Sequence, residues 1–189
     1  MELSVDTELD AVNTIIEAIG ESPVNSLESA TNVSVLNAMR ILARINRQEQ
    51  SKGWGFNEVP EYVLNPNEDT HKIDWASDFL KIVGTDHTRY VKRNGYLYDF
   101  TNQTATFTKS LTVKAILLTP FVEMPEAMRN YITAKAARKF GQEFLGDAEV
   151  VEGLLRDEQE AYAALNTSEL EDNGLNMLDN PEVAAMVSR

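Results

Sequence analysis

Cysteine is absent from the 189 residues of this chain, which excludes disulfides and thiolate metal sites and fits assembly in a reducing cytoplasm. Histidine is almost absent. His71 and His87 stand apart in a turn-rich region, without the i, i+4 spacing of a helical metal pair, and read as surface loop residues. There is no Gly-x-Ser-x-Gly elbow, and Gly53-Trp54-Gly55 lacks the third glycine and the strand-before-helix setting of a phosphate-cradling loop. The expectation is therefore no catalytic triad, no metal and no cofactor. No run of about 18 apolar residues occurs, so no membrane span is expected. The opening Met1-Glu2-Leu3-Ser4-Val5-Asp6 lacks the basic start and apolar stretch of a secretory signal. Positive charge is scarce as well: 17 Lys and Arg face 30 Asp and Glu, for a net charge of −13. Phosphates are repelled by such a surface, so tight wrapping of DNA is not expected.

What is present is apolar periodicity. With 43% hydrophobic residues the chain can bury a proper core. Thr7 with Asp10 forms a capping box, and Leu9, Val12, Ile15, Ile16 and Ile19 share one helical face closed by Gly20. A second helix, over about residues 32–52, carries Val35, Met39, Leu42 and Ile45 on one side and Arg40, Arg44 and Arg47 on the other. It ends at Gly53, with Trp54 and Phe56 placed to fold back on its end. Short strand-like runs follow: Tyr62–Leu64, Phe79–Val83, Arg89–Arg93, Tyr96–Phe100 and Leu111–Leu118. Asn94-Gly95 predicts a tight hairpin between the third and fourth.

Helix returns after Met124-Pro125-Glu126 with Met128, Ile132, Ala136, Phe140 and Phe144 in a ladder. Asp147 then caps a fourth helix whose Val150, Val151, Leu154, Leu155, Tyr162 and Leu165 share a side. The expected fold is α+β. A four-helix bundle-like domain comprises residues 1–55 and 121–173, with a small antiparallel β domain inserted at 56–120. An extended C-terminal docking tail takes up 174–189.

Chemistry-bearing residues are few. Glu158 lies on the apolar side of the fourth helix, where it would serve as a general acid with a raised pKa or pair with Arg129, Arg138 or Lys139. The hairpin interleaves Arg89, Val91 and Arg93 with Tyr96, Tyr98 and Phe100 on one face. That pattern suits single-stranded nucleic acid, cross-strand cation–π pairing or protein docking. Arg40, Arg44 and Arg47 read as a solvated face or as a basic surface complementary to the acids of the fourth helix, Glu152 and Glu160 among them. Head-to-tail, such faces close a ring.

Several stretches resemble the tail tubular protein A family of short-tailed bacteriophages, the head-to-tail adaptors or gatekeepers. They are Glu8–Asn13, Ile19-Gly20-Glu21-Ser22-Pro23-Val24, Ile45–Asn57, Asn94–Asp99, Glu123–Glu126, Glu149–Gly153 and Asn176–Asp179, in the family's order. The stretch Glu58–Thr88 matches least. The resemblance implies a non-enzymatic structural protein of the virion, assembled in the host cytoplasm as a dodecameric ring. It would join the portal protein to the tail nozzle protein (tail tubular protein B), with tail fibre protein docked nearby. DNA would pass through the bore without sequence-specific binding, and no membrane is involved. On this reading Arg40, Arg44 and Arg47 meet Glu152 and Glu160 of a neighbouring copy. Leu175, Met177 and Leu178 dock on the portal, and Tyr96 and Tyr98 meet the nozzle or fibre. The alternatives are a carboxylate-based glycosidase of the phage tail acting through Glu158, and a nucleic-acid-binding module using Arg89 and Arg93.

Overall fold

The computed structural model describes residues 7–28 and 32–172. Among them, four helices (α1, Glu8–Glu17; α2, Val33–Gln50; α3, Glu126–Phe144; α4, Ala148–Asp172) accompany five strands (β1, Glu58–Leu64; β2, Phe79–Gly84; β3, Tyr90–Arg93; β4, Tyr96–Asp99; β5, Leu111–Leu117). The fold is mixed α+β with small antiparallel sheets. It divides into two units, one running to Asn46 and resuming at Phe121, the other spanning Arg47–Pro120.

In the first unit, α1 begins as its sequence requires. The Thr7 hydroxyl accepts from the Asp10 amide at 3.1 Å, and the Thr7 amide donates to the Asp10 carboxylate at 3.1 Å. Such a reciprocal cap stabilises a helix start by about 1 kcal/mol. Ala11, Val12, Ile15 and Ile16 are buried, and α1 packs on α3. Asn13 pins the connector after α1, donating to the Val24 carbonyl at 3.0 Å and accepting its amide at 2.8 Å. The helical spacing in α2 buries Val35, Ala38, Ile41, Leu42 and Ile45. In α3, Met128, Ile132, Ala136 and Phe140 are buried as their ladder predicts, while Phe144 at its end is exposed. Pro125 occupies the N-cap rather than the first turn.

Asp147 opens α4, its carboxylate accepting the amides of Glu149 and Val150 at 2.9 and 3.2 Å. The apolar side of α4 differs from expectation. Only Leu165 of it is buried, while Leu155 and Tyr162 are 39% and 43% exposed. The stripe is wider than a single neighbouring helix covers, and α4 packs against α3 along one flank. Where the two meet most closely stands Gly141, at which a Cβ would come within 2.9 Å of Leu154 Cδ1.

The second unit starts with the last turn of α2. Gly53 adopts φ +85° and reverses the chain, and Trp54 folds back to donate its indole N–H to the Glu49 carbonyl at 2.9 Å. Three strands pair antiparallel in the order β1-β5-β2. β1 is longer than its sequence suggests because Pro60 falls within a bulge between Val59 and Tyr62, on an edge strand where its missing N–H is not needed. β3 and β4 form a hairpin with Val91 opposite Tyr98 and Arg93 opposite Tyr96. Asn94 and Gly95 both take positive φ in its turn, as their dipeptide predicts. Leu64, Ile73, Phe79, Ile82, Leu97, Phe107 and Val113 form the core of this unit.

Candidate functional site

Charge is divided unevenly between the units. Residues 47–120 hold nine basic and nine acidic side chains, so the whole net charge of −13 belongs to the remainder of the chain. Basic groups stand out on two surfaces, α2 and the hairpin.

Arg40, Arg44 and Arg47 are all exposed. Arg44 donates to Glu143 of α3 at 2.8 Å, a surface pair worth at most about 1 kcal/mol. Arg40 and Arg47 make no ion pair among the described residues. On α4, Glu152 and Glu160 are exposed too, and Glu152 pairs with Arg156 one turn on at 2.6 Å.

The hairpin's cations sit over its aromatics. The Arg93 guanidinium lies 3.9 Å from the Tyr98 ring centroid, Arg89 lies 5.2 Å from Phe100, and Lys72 lies 4.8 Å from Tyr96. Each stack contributes about 0.5–1 kcal/mol at an exposed site. The interleaved pattern is thus occupied by its own partners, with Tyr96 and Tyr98 half-buried beneath the cations. Behind this face, burial and then the charge of Asp99 raise the Tyr90 phenol above its usual pKa. In the turn before β3, the hydroxyl and then the amide of Thr88 hold the Asp86 carboxyl below the usual range.

Glu158 is held between α3 and α4. One carboxylate oxygen accepts from Arg138 Nε, and the other lies 3.6 Å from Lys135 Nζ. Of the three partners expected from the sequence Arg138 is correct, and Lys135 supplies the second cation. Arg129 instead donates to the carbonyls of Met124 and Val122 at 2.9 and 3.2 Å. His71 and His87 are exposed with positive φ, and no metal-holding cluster occurs among the described residues. Leu175, Met177 and Leu178 lie outside the described residues.

A buried polar knot in the second unit had no sequence signature. Asn57 donates to the carbonyls of Gln50 and Leu117 at 3.0 and 2.8 Å and accepts the Trp54 amide at 2.9 Å. Gln50 exchanges two hydrogen bonds with the Thr119 backbone at 2.9 and 2.8 Å. Beside them Glu49, fully buried, pairs with Lys52 at 2.6 Å. A polar Glu-Gln at a helix end reads from sequence as solvent-facing; only the sheet packed on it makes it interior.

Two folded units, one acidic and one of balanced charge with cation–aromatic stacks on its hairpin, make up the described chain. The sequence profile of the tail tubular proteins matches residues 9–175, and the chain belongs to that family, a structural component of a phage tail. It is 34% identical over 132 residues to tail tubular protein A of Klebsiella phage KP34, an alignment covering 68% of this chain and 70% of that one.

Proposed function

We propose that this chain is the head-to-tail adaptor of a short-tailed phage. Copies of it form a dodecameric ring between the portal protein and the tail nozzle, contribute to tail-fibre attachment and surround the DNA ejection channel. The match of residues 9–175 to the tail tubular family carries the reading. The charge division supports it: an acidic body keeps a passing DNA polymer sliding rather than bound.

In this reading a helical bundle-like domain (1–55 and 121–173) carries an inserted β domain (56–120) and a docking tail (174–189). Arg40, Arg44 and Arg47 of one copy meet acids of the next, Glu152 and Glu160 among them. Leu175, Met177 and Leu178 anchor to the portal, and Tyr96 and Tyr98 face the nozzle or fibre. The work is assembly rather than catalysis, and many individually weak contacts become strong through multivalency. Glu158 serves the α3–α4 interface, which leaves the glycosidase reading without its general acid.

Electron microscopy of the protein mixed with its portal tests this, with Arg40→Glu/Arg44→Glu/Arg47→Glu as the comparison. Rings or portal docking are expected for the parent and lost in the triple variant. Rings that persist unchanged at moderate salt refute the arginine assignment, and a virion without this protein at its collar refutes the function.

A further inference from the structure

The three-stranded sheet has two edges, and they are treated differently. At β1 the edge is blunted by Pro60, the bulge beside it and the carboxylates Glu58 and Glu61. At β2 the outer edge is engaged at both ends, by the Val83–Arg89 bridge with the Gly84 amide on the Thr88 carbonyl at 2.8 Å and by the Trp75 indole on the Phe79 carbonyl at 3.1 Å, and has no strand partner over residues 80–82 among the described residues. Between β2 and β3 lies a cleft of about 360 Å³ lined by Trp75, Lys81, Ile82, Arg89, Tyr90 and Lys92 among others, with three cations and no carboxylate. Strand alternation sorts this lining. Lys81 and Arg89 fall with Val83 and Val91 on the outer face, and Ile82, Tyr90 and Lys92 fall on the inner face, where Ile82 is buried, Tyr90 packs on Phe107 and Lys92 is exposed.

An outer face that carries Lys81 and Arg89, an inner face built on Ile82 and Tyr90 and a stretch of strand edge open between them define the complement: an extended segment alternating acidic and apolar residues. Such a segment stands outside the described residues. In Met1-Glu2-Leu3-Ser4-Val5-Asp6 the carboxylates of Glu2 and Asp6 alternate with Leu3 and Val5, and the central residues of the segment suffice for the open stretch of β2 at 80–82. We propose that residues 1–6 of a second copy add as a strand to the outer edge of β2, with Glu2 and Asp6 toward Lys81 and Arg89 and with Leu3 and Val5 toward Ile82 and Tyr90. This inference rests on the self-association proposed above and adds to it the element exchanged between copies.

The absence of native cysteine makes the test clean. A Ser4→Cys chain and a differently tagged Val83→Cys chain, each shown to fold by circular dichroism, are mixed and oxidised. A cross-linked heterodimer is expected, exceeding that from Ser4→Cys with Lys109→Cys. A synthetic peptide of residues 1–6, added to a chain that begins at Thr7, is expected to bind with a salt-sensitive affinity. Lys81→Glu/Arg89→Glu is expected to weaken that affinity about tenfold or more. A scrambled peptide that breaks the alternation is expected not to bind.

Absence of the heterodimer overturns the proposal, as does peptide binding indifferent to the charge reversal. A cross-link that forms only within a Ser4→Cys/Val83→Cys chain overturns the second-copy assignment. Microscopy of the chain starting at Thr7 separates the two readings: rings that still form reject strand exchange and leave the adaptor function standing.

Discussion

Replacing Asn57 with alanine removes three hydrogen bonds in one step. The carboxamide is 3% exposed, donates to the Gln50 and Leu117 carbonyls and accepts the Trp54 amide. Alanine leaves the Leu117 carbonyl and the Trp54 N–H without these partners where water has little room, while the Gln50 carbonyl keeps the Gly53 amide at 3.1 Å. Each stranded buried group costs about 1–3 kcal/mol. Partial relaxation offsets some of this, so the loss should be about 4 kcal/mol, in the upper tail of single substitutions.

Both tryptophans, Trp54 and Trp75, belong to the second unit, so their fluorescence in a urea titration follows that unit. Far-UV circular dichroism, dominated by the helices, mainly follows the first. The fluorescence midpoint should fall sharply with little change in slope. Asn57→Asp keeps the shape and the acceptor but loses both donors at neutral pH. Its loss should be of similar size and should ease in acid, where a protonated carboxyl regains one donor. A drop below about 1 kcal/mol in both variants would refute the view that this knot, rather than the apolar core beside it, holds the base of the unit.

Three further outcomes are expected. Leu165→Ala should cost about 3 kcal/mol by thermal or chemical denaturation, whereas Leu155→Ala, at a position 39% exposed, should cost less than about 1 kcal/mol; equal losses would contradict the partial covering of α4. Glu158→Gln removes the carboxylate that Arg138 and Lys135 share and should destabilise the first unit by about 2 kcal/mol, measured by helical dichroism. Because the Tyr90 pKa is raised in the fold, its contribution is complete below the unfolded value of 10.0 and is lost as pH rises through the folded value. Tyr90→Phe should therefore flatten the alkaline unfolding of the second unit followed by fluorescence.

Local signals carried much of the fold. The Thr7–Asp10 box, the glycine at the end of α2, the Asn94-Gly95 turn and the ladder of α3 each rest on interactions within a few residues, and each stands where its spacing puts it. β1 extends beyond the Tyr62–Leu64 run because Pro60, unfavourable inside a paired strand, is harmless at a bulged edge. The α4 stripe was read as buried because periodicity tells that a face is apolar, not whether a neighbour reaches it. The hairpin's cations had three readings, and the distances to Tyr98 and Phe100 show pairing inside the hairpin. Gln50 and Asn57 carry no local sign of burial because their partners, Thr119 and Leu117, lie some 60 to 70 residues further along the chain.

The two hydrogen bonds between Gln50 and Thr119 join the points at which the polypeptide departs into its second unit and comes back from it. An excursion tied at its mouth is indifferent to its own length: doubling it adds only about 0.6 kcal/mol of closure entropy. Loops between the ties can be lengthened or trimmed at little entropic cost provided Asn57 and its partners are kept, so the clasp confines such variation to one module.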